Sequence, residues 1–302
     1  MAVTRNLVVT GATGKQGGAL ISALLSRPSQ PFAIYAVTRN PESNSAKRLA
    51  EKPNVKIIQG DFDTADSIFK QVDKPWGLFA MTNQMAGEKK EEQQGKALVN
   101  AAVEAGVHHI VFTATDRGGQ QKSDTTPTIV PHFRSKYNVE QDIMKKAEAS
   151  EGRLTWTFLR PAAFFENLAP GFFGKAFTAM WRLNGPDRKL QMISTSDIGK
   201  VAAEAFLDFD KADYRNKAIS LAGDDLSPNE AGRIFKEVTG QDIPATYNFV
   251  GSLLRWLVAD LGYMFNWFVT DDFQVTVSAV KSRYPFMKDF RTWVKEESAW
   301  KQ

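Results

Sequence analysis

The stretch Val9-Thr-Gly-Ala-Thr-Gly-Lys-Gln-Gly-Gly18 sets three glycines at three-residue intervals. A short, mostly apolar run at residues 6–10 precedes this stretch, and helical spacing follows it. Gly11 permits a tight bend, Gly14 lets backbone N–H groups approach a pyrophosphate, and Gly17 allows the helix to pack close to the sheet. The order of strand, glycine turn and helix therefore predicts a dinucleotide site. Its residues in the turn are Gly11, Ala12, Thr13, Gly14, Lys15, Gln16 and Gly17.

Further apolar runs alternate with helical segments beyond the turn. The runs lie at residues 34–38, 55–59, 77–81, 109–113 and 155–159. Segments with helical character lie near residues 46–51, 64–72, 88–105 and 133–149. Because near-continuous apolar strands belong to a sheet that is buried on both faces, this pattern predicts an α/β fold with a doubly wound parallel sheet of the Rossmann type.

The composition of the chain changes after Pro161. Aromatic residues are frequent over residues 164–181, which also contain prolines and glycines. We therefore predict a dinucleotide-binding domain over residues 1–160 and a smaller mixed α/β lobe, for a substrate or partner, over residues 161–302. Part of this lobe, about residues 195–225, is expected to return to the first sheet.

The most membrane-like stretch, residues 249–269, is interrupted by Arg255, Asp260 and Asn266. A charge at mid-bilayer costs about 2.5–3.5 kcal/mol, so we expect no membrane span and no membrane contact. Apolar spacing over residues 250–268 predicts one helix with a wide apolar face that packs on the core, with a substrate lid or a partner helix as alternatives.

Composition excludes several classes of protein. The 302 residues are 43% hydrophobic and 24% charged, far from the composition of disordered chains. Lys and Arg number 38 against 34 Asp and Glu, and this net charge of +4 is spread without a basic stripe, so we expect no direct nucleic-acid contact. Cysteine is absent and the three histidines lack metal-ligand spacing, so we expect no disulfide and no metal site. No long apolar run opens the chain, and we expect the cytoplasm or the nucleus.

The end of the second predicted strand bears on the choice of dinucleotide. An NAD-preferring site offers Asp or Glu to the ribose 2′-hydroxyl, whereas this chain has Thr38-Arg39-Asn40 there. Arg39, helped by Lys15, is suited to bind a 2′-phosphate, and this favours NADP(H). The alternative is a solvated surface arginine.

From residue 6 to about residue 300 the chain resembles the NmrA-like family of the atypical short-chain dehydrogenases/reductases. The motifs that carry the resemblance are Val9–Gly18, Val37-Thr-Arg-Asn-Pro41, Gln59-Gly-Asp-Phe62, Gly95-Lys96 to Gly106-Val-His108, His132-Phe-Arg-Ser-Lys136, Arg160-Pro161, Phe165-Glu-Asn167 and Ser196-Asp-Ile-Gly199.

The resemblance implies roles for further residues. Asp61 and Phe62 resemble the pair that borders the adenine, with a helix-capping Asp and a core Phe as alternatives. Thr82, Asn83 and Lys136 match positions beside the nicotinamide ribose. The alternative for Lys136 is a solvated lysine on the surface of a helix. The loop beside the nicotinamide amide is matched by Pro161, Ala162, Ala163, Phe164 and Asn167.

The chain departs from the family's catalytic pattern at one position. Catalytic short-chain reductases carry Tyr four residues before the lysine, where this chain has His132. Histidine is itself a competent general acid, so His132 beside Lys136 could donate a proton; alternatively, it is a polar residue in a site that binds dinucleotide without turnover. The usual hydroxyl partner could be Thr113 or Thr115.

Two functions follow from the resemblance. The first is an NADPH-dependent oxidoreductase that reduces a small apolar carbonyl, imine or quinone-like substrate. The alternative is a non-catalytic NADPH/NADP⁺ redox sensor that regulates transcription through a protein partner. The polar loop at residues 115–131 would be a lid in the first case, an interaction face in the second, or disordered. Either function is compatible with a homodimer.

Overall fold

The computed structural model describes residues 4–29 and 31–300. These residues form two compact units. The first unit comprises residues 4–114, 135–160 and 198–219, and the second comprises residues 115–134, 161–197 and 220–300. The domain boundary expected at residue 160 stays a prediction.

The strands are β1 (Arg5–Val9), β2 (Phe32–Thr38), β3 (Val55–Gln59), β4 (Pro75–Ala80), β5 (His109–Thr113), β6 (Thr155–Pro161), β7 (Ala163–Phe164), β8 (Leu190–Ile193), β9 (Lys217–Leu221) and β10 (Asp224–Leu226). The helices are α1 (Lys15–Leu25), α2 (Asn44–Ala50), α3 (Ala65–Phe69), α4 (Glu88–Glu104), α5 (Gln120–Thr125), α6 (Pro131–Ala149), α7 (Phe172–Leu183), α8 (Thr195–Leu207), α9 (Pro228–Thr239), α10 (Asn248–Leu257), α11 (Ala259–Thr270), α12 (Val277–Arg283) and α13 (Phe290–Glu296). Short 3₁₀ helices lie at Phe62–Thr64, Gln84–Ala86 and Phe165–Leu168.

A seven-stranded sheet in the order β3-β2-β1-β4-β5-β6-β9 forms the centre of the fold. The pairs from β3 through β6 are parallel, with Val9 of β1 opposite Ala36 of β2 and Phe79 of β4. The strand order reverses direction between β1 and β4, and ligands of open α/β sheets bind outside the carboxyl ends of the strands at such a switch point. The predicted α/β class, a doubly wound parallel sheet of the Rossmann type with a smaller mixed sheet, is confirmed.

The core of the first unit explains why its strands are apolar throughout. Val8, Leu78, Ile110 and Phe158 on four of the strands are fully buried, together with Val99 of α4. Because helices cover the sheet, each strand contributes side chains to a packed layer. The strands therefore lack the alternation of apolar and polar residues that is typical of a sheet with one face in water.

The second unit contains a three-stranded sheet in the order β10-β8-β7, in which β7 and β8 are parallel and β10 and β8 antiparallel. Aromatic packing is prominent in this unit. The rings of Phe165, Phe290 and Trp293 lie with centroids 5.5–5.9 Å apart. These offset contacts between large side chains stabilise the unit beyond their buried area.

The single helix expected over residues 250–268 is wrong. The chain instead forms α10 and α11, because Val258 between them is extended. Gly262 allows α11 to pack against the end of α10, since a Cβ atom there would lie 2.5 Å from the Arg255 carbonyl oxygen. None of the helices that the structure describes combines the length and apolarity needed to cross a bilayer.

The polar loop expected at residues 115–131 also differs from the structure, because it contains the short helix α5. The Ser123 backbone N–H donates to the Gly119 carbonyl oxygen. The Ser123 hydroxyl accepts from the Arg117 backbone N–H at 2.8 Å and donates to the Asp116 carboxylate at 3.5 Å. Arg117 is fully buried and donates to the Thr115 carbonyl oxygen at 3.1 Å. Local side-chain bonds therefore order a segment whose composition is typical of a loop.

His109 is a buried histidine in the core of the first unit. Its Nδ1 atom lies 2.8 Å from the Thr155 hydroxyl, and Nε2 lies 3.3 Å from the Thr157 hydroxyl. Its ring stacks on Trp76 at 6.3 Å. Burial, with a smaller contribution from the positive charge of Arg215, lowers the pKa of His109 to about 3.

The pKa of His109 predicts that stability falls on acidification. The unfolded state binds a proton below the ordinary pKa of 6.5, whereas the folded state does not until about pH 3. The stabilisation is therefore complete above pH 6.5 and decreases as the pH falls toward 3, by about 2 kcal/mol at pH 5. Urea unfolding at pH 7.5 and pH 5 measures this difference.

The substitution His109→Leu should remove this contribution to the pH dependence, whatever its effect on absolute stability. The matched control is His108→Ala, because His108 is exposed. If both variants kept the pH dependence of the wild type, the assignment to His109 would be wrong.

Candidate functional site

The glycine turn joins β1 to α1 through a bend that only glycine accommodates. Gly11 has a φ of +59°, in the left-handed region. A Cβ atom on Gly17 would lie 2.4 Å from the Gly11 carbonyl oxygen, so the start of α1 rests directly on the turn. The Thr10 hydroxyl donates to the Phe79 carbonyl oxygen at 2.9 Å and thereby ties the end of β1 to β4.

A cavity of about 860 Å³ lies in the first unit at the carboxyl ends of β1 to β4. Eight of the predicted site residues line it: Gly11, Thr13, Gly14, Arg39, Asp61, Phe62, Thr82 and Asn83. The lining residues that the sequence analysis did not single out for the site are Val37, Thr38, Asn40, Ser43, Ser45, Gly60, Asp63, Met81, Ala86, Lys90 and Gln94. A cavity of this size is in the range of small-molecule and cofactor sites.

Two predicted residues that border the cavity also have structural roles. The Asp61 carboxylate accepts from the Asp63 backbone N–H at 2.8 Å and caps a 3₁₀ helix, and Phe62 packs partly buried against the core. These are the alternatives considered for the adenine-bordering pair, and their role in binding stays a prediction. Gln94 and then Lys90 donate hydrogen bonds to the Asp63 carboxylate, and these lower its pKa.

Six predicted residues of the first unit stand outside the lining of the cavity, namely Ala12, Lys15, Gln16, Gly17, Thr113 and Lys136. Ala12 is buried beneath the turn, and Lys15 is exposed at the start of α1. Thr113 donates to the side-chain oxygen of Gln16 at 2.7 Å, and both side chains are buried. The structure thus brings the fifth strand and the glycine turn together through these two side chains.

Lys136 belongs to a buried network centred on Glu91, which the sequence analysis missed. The Glu91 side chain is fully buried, and Lys136 Nζ lies 2.5 Å from its Oε1 atom. The Thr82 hydroxyl donates to the same oxygen at 2.6 Å, and the Ser135 hydroxyl donates to Oε2 at 2.6 Å. The alternative of a solvated helix lysine is therefore wrong, because the ammonium group pairs with a fully buried carboxylate, and the role of Lys136 beside the nicotinamide ribose stays a prediction.

A glycine on α4 makes this network geometrically feasible. A methyl group at Gly95 would lie 2.6 Å from Val139 Cγ2 and 3.0 Å from Thr82 Cγ2. Its absence lets α4 approach α6 closely, one turn after Glu91. The position of Glu91 was detectable in the sequence, since Glu91, Gly95 and Leu98 recur at helical spacing on the inward face.

The other predicted residues belong to the second unit. Thr115 bonds to backbone carbonyls there, Ala162 donates its N–H to the Leu221 carbonyl at 2.9 Å, and Ala163 and Phe164 form β7 beside β8. Pro161 ends β6, and Asn167 lies half-buried in a 3₁₀ helix. The role of each in cofactor binding stays a prediction.

His132 is held by a carboxylate within the second unit. Its Nδ1 atom lies 2.8 Å and 2.7 Å from the two Asp260 carboxylate oxygens, and its ring packs edge-on against Phe133 at 4.6 Å. A carboxylate that orients an imidazole in this way is a common element of acid–base sites. The sequence analysis did not connect Asp260 with His132, because the two are far apart along the chain.

The NmrA-like family matches residues 3–281, and the chain belongs to this family, as the motifs predicted. The NmrA-like family domain-containing oxidoreductase malD of Malbranchea aurantiaca is 28% identical over 263 residues, which are 78% of this chain and 74% of malD.

Two solved structures show the shared fold. Citrobacter sp. triphenylmethane reductase, complexed with NADP(H), has a TM-score of 0.73 at 20% identity, over 96% of this chain and 99% of that chain. NmrA, a negative transcriptional regulator, solved in complex with NADP, has a TM-score of 0.69 at 18% identity, over 99% of this chain and 96% of that chain.

The Glu91 network yields a prediction for stability. Glu91→Gln removes the carboxylate and leaves the Lys136 ammonium group without its countercharge. Breaking one partner of a buried ion pair costs about 3–5 kcal/mol, and we expect the free energy of unfolding in urea to fall by that amount. Glu92→Gln is the matched control, because the Glu92 side chain is partly exposed beside Lys96 and should cost less than about 1 kcal/mol. Equal losses in the two variants would contradict this account.

Proposed function

We propose that the chain binds NADP(H) in the cavity of the first unit and reduces a small apolar carbonyl, imine or quinone-like substrate. The observation that carries the proposal is the glycine turn at the head of a cavity whose wall at the end of β2 presents Arg39 and no carboxylate. Triphenylmethane reductase and NmrA, which share the fold, were solved with NADP(H) and NADP respectively.

The turn fits a pyrophosphate on geometric grounds. Gly14 precedes α1 and offers no side chain that could cap the helix. The first backbone N–H groups of an eleven-residue helix are thus directed to the cavity end of the helix, where its dipole favours an anion. A side chain at Gly14 would start 3.1 Å from the Gly11 carbonyl oxygen and would occupy this approach.

The far end of the cavity fits a ribose 2′-phosphate. Arg39 is exposed there beside Asn40, Ser43 and Ser45, which supply further hydrogen-bonding groups. The carboxylates that line the cavity, Asp61 and Asp63, already accept hydrogen bonds from protein donors. Both carboxylates follow β3, whereas Arg39 follows β2, where an NAD-preferring site would offer an acidic residue. The planar donors of the guanidinium suit a phosphate.

The choice of dinucleotide is tested by Arg39→Asp. Wild-type protein is titrated with NADPH, NADP⁺, NADH and NAD⁺ by calorimetry, and we expect the phosphorylated forms to bind at least about tenfold more tightly. Arg39→Asp should abolish this preference, because it replaces the cation by a ribose-binding carboxylate. Arg48→Asp makes the same change of charge on an exposed residue of α2 outside the cavity and should preserve the ratio. An unchanged ratio in Arg39→Asp would refute the 2′-phosphate site.

Bound NADPH would supply the hydride, and the chain must then supply a proton to the substrate. His132 is our candidate, because Asp260 holds its Nδ1 atom and so orients the ring. In the first unit, Lys136 is neutralised by Glu91 rather than presented as an isolated cation, so we assign it a positioning role. The proton donor is therefore the histidine or a water molecule.

Substitution of His132 tests the donor. Purified protein is screened for NADPH oxidation against carbonyls, imines and quinones, and His132→Ala should lower kcat by about 10²–10⁴-fold, as loss of a general acid does. The affinity for NADPH should be unchanged. His108→Ala removes an exposed imidazole and should have no effect on either quantity. Full turnover in His132→Ala would leave water as the donor.

A second candidate function is a redox sensor that acts through a protein partner. It is favoured by one observation: the Lys136 ammonium and the Thr113 hydroxyl, two groups expected to serve catalysis, instead bond to Glu91 and Gln16. NmrA, of the same fold, is described as a negative transcriptional regulator. A large difference in affinity between NADPH and NADP⁺, with no turnover of any substrate, would support the sensor.

A further inference from the structure

Helix α10 in the second unit carries a stripe of exposed apolar side chains. Phe249, Leu253, Trp256 and Leu257 recur at helical spacing and so share one face. The exposed fraction is 78% for Trp256 and 69% for Phe249. Large apolar side chains that are contiguous and this exposed mark a surface that contacts another apolar phase.

The opposite side of α10 is already packed. Gly251 is buried against α7, since a Cβ atom there would lie 3.2–3.3 Å from atoms of Leu183, Ala179 and Met180. The apolar stripe of α10, within residues 249–257, therefore lies on the side of the helix that faces away from α7.

A cationic niche adjoins the stripe. It has a volume of about 450 Å³ and is lined by Leu183, Ser252, Arg255, Trp256 and Gly262. Arg255 donates from Nη1 to the Asn184 side-chain oxygen at 2.9 Å and lies 5.7 Å from the centre of the Phe265 ring.

Arg255 has no carboxylate partner among the residues that the structure describes. Partial burial alone lowers its pKa, and arginine nevertheless stays protonated. A half-buried guanidinium beside a serine hydroxyl, in an open niche, is suited to receive an anionic group from outside the chain.

The charge of the two helices is one-sided. Neither α7 nor α10 contains Asp or Glu, and their charged residues are Lys175, Arg182 and Arg255. Lys175 and Arg182 are exposed. Exposed aromatic and leucine side chains combined with basic residues are typical of surfaces that lie on anionic membranes.

We propose that this face of the second unit docks on the surface of a membrane that contains anionic phospholipid. The stripe enters the interfacial region, and the Arg255 niche receives a headgroup phosphate beside Trp256. The proposal concerns the membrane surface and is compatible with the finding that none of the described helices could span a bilayer. It departs from the expectation of no membrane contact, which rested on the interrupted apolar run.

A second copy of the chain is the competing occupant, and charge disfavours it. An isologous interface sets the same patch of both subunits face to face. Because the charged residues of α7 and α10 are all basic, pairing this face with itself supplies no counterion from these helices to the Arg255 guanidinium of either subunit. An anionic bilayer supplies the complementary charge.

Vesicle flotation tests the proposal with the full chain. We expect binding to vesicles of phosphatidylcholine with about 30% phosphatidylglycerol, weaker binding to phosphatidylcholine alone, and release of part of the protein by high salt. Phe249→Ser with Trp256→Ser should lower the partition coefficient at least about tenfold. Arg255→Gln should reduce the preference for the anionic vesicles. The matched control is Ile129→Ser, an exposed apolar residue of the same unit outside the stripe, and it should bind like wild type.

Quenching of tryptophan fluorescence by lipids that are brominated on the acyl chain reports contact between the protein and the bilayer. It is measured on the wild-type protein, whose fold is intact. Wild-type fluorescence should be quenched on anionic vesicles, and Trp256→Phe should lose most of that quenching. Absence of flotation with anionic vesicles at low salt would overturn the proposal. It would also be overturned if the wild type were a dimer by light scattering and the double variant a monomer, because a second copy would then cover the stripe.

Discussion

The close approach of α1 to its surroundings is the constraint on which the first unit depends. A carbon atom on Gly17 would lie 2.4 Å from the Gly11 carbonyl oxygen, and one on Gly199 would lie 2.5 Å from the Ala19 Cβ atom. Helix α1 therefore packs between the glycine turn and α8, and its backbone lies close to the backbone of both. This fit also carries Gln16 to Thr113 and sets the direction in which the amino end of α1 points. Neither glycine could be replaced without moving the turn at the head of the cavity.

Buried charges impose a second constraint, this time on α6. Lys136 pairs with Glu91 of α4, and one turn later Glu140 forms two hydrogen bonds, at 2.8 and 3.0 Å, with Arg160 of β6. Because an unpaired charge is costly in a buried environment, both pairs must form together and they fix the rotation of α6 about its axis. Their net contribution to stability is small beside the cost of breaking either one, so they act mainly on specificity of packing.

The sequence was sufficient for the strands of the main sheet and for the glycine turn, because both are set by local patterns. The family could also be identified from the sequence, since several of its motifs occur together and in order. What the sequence could not supply were partners distant along the chain. Asp260 was noted only as an interruption of an apolar run, although it holds His132. The apolar spacing that suggested one helix continues through Val258, because periodicity records spacing and is blind to a single extended residue.

The Glu91–Lys136 pair has a consequence for attempts to redesign the chain. Catalytic short-chain reductases use a lysine to make a neighbouring phenol more acidic, and the obvious graft on this chain is His132→Tyr. Here the positive field of the lysine is cancelled by a carboxylate that is buried and within 2.5 Å. A tyrosine grafted four residues before Lys136 would therefore gain less from the charge of the lysine. The carboxylate could not simply be removed, since it also anchors Thr82 and Ser135. The effect of a substitution at position 132 therefore depends on the residue at position 91, and a redesign of one position has to include the other.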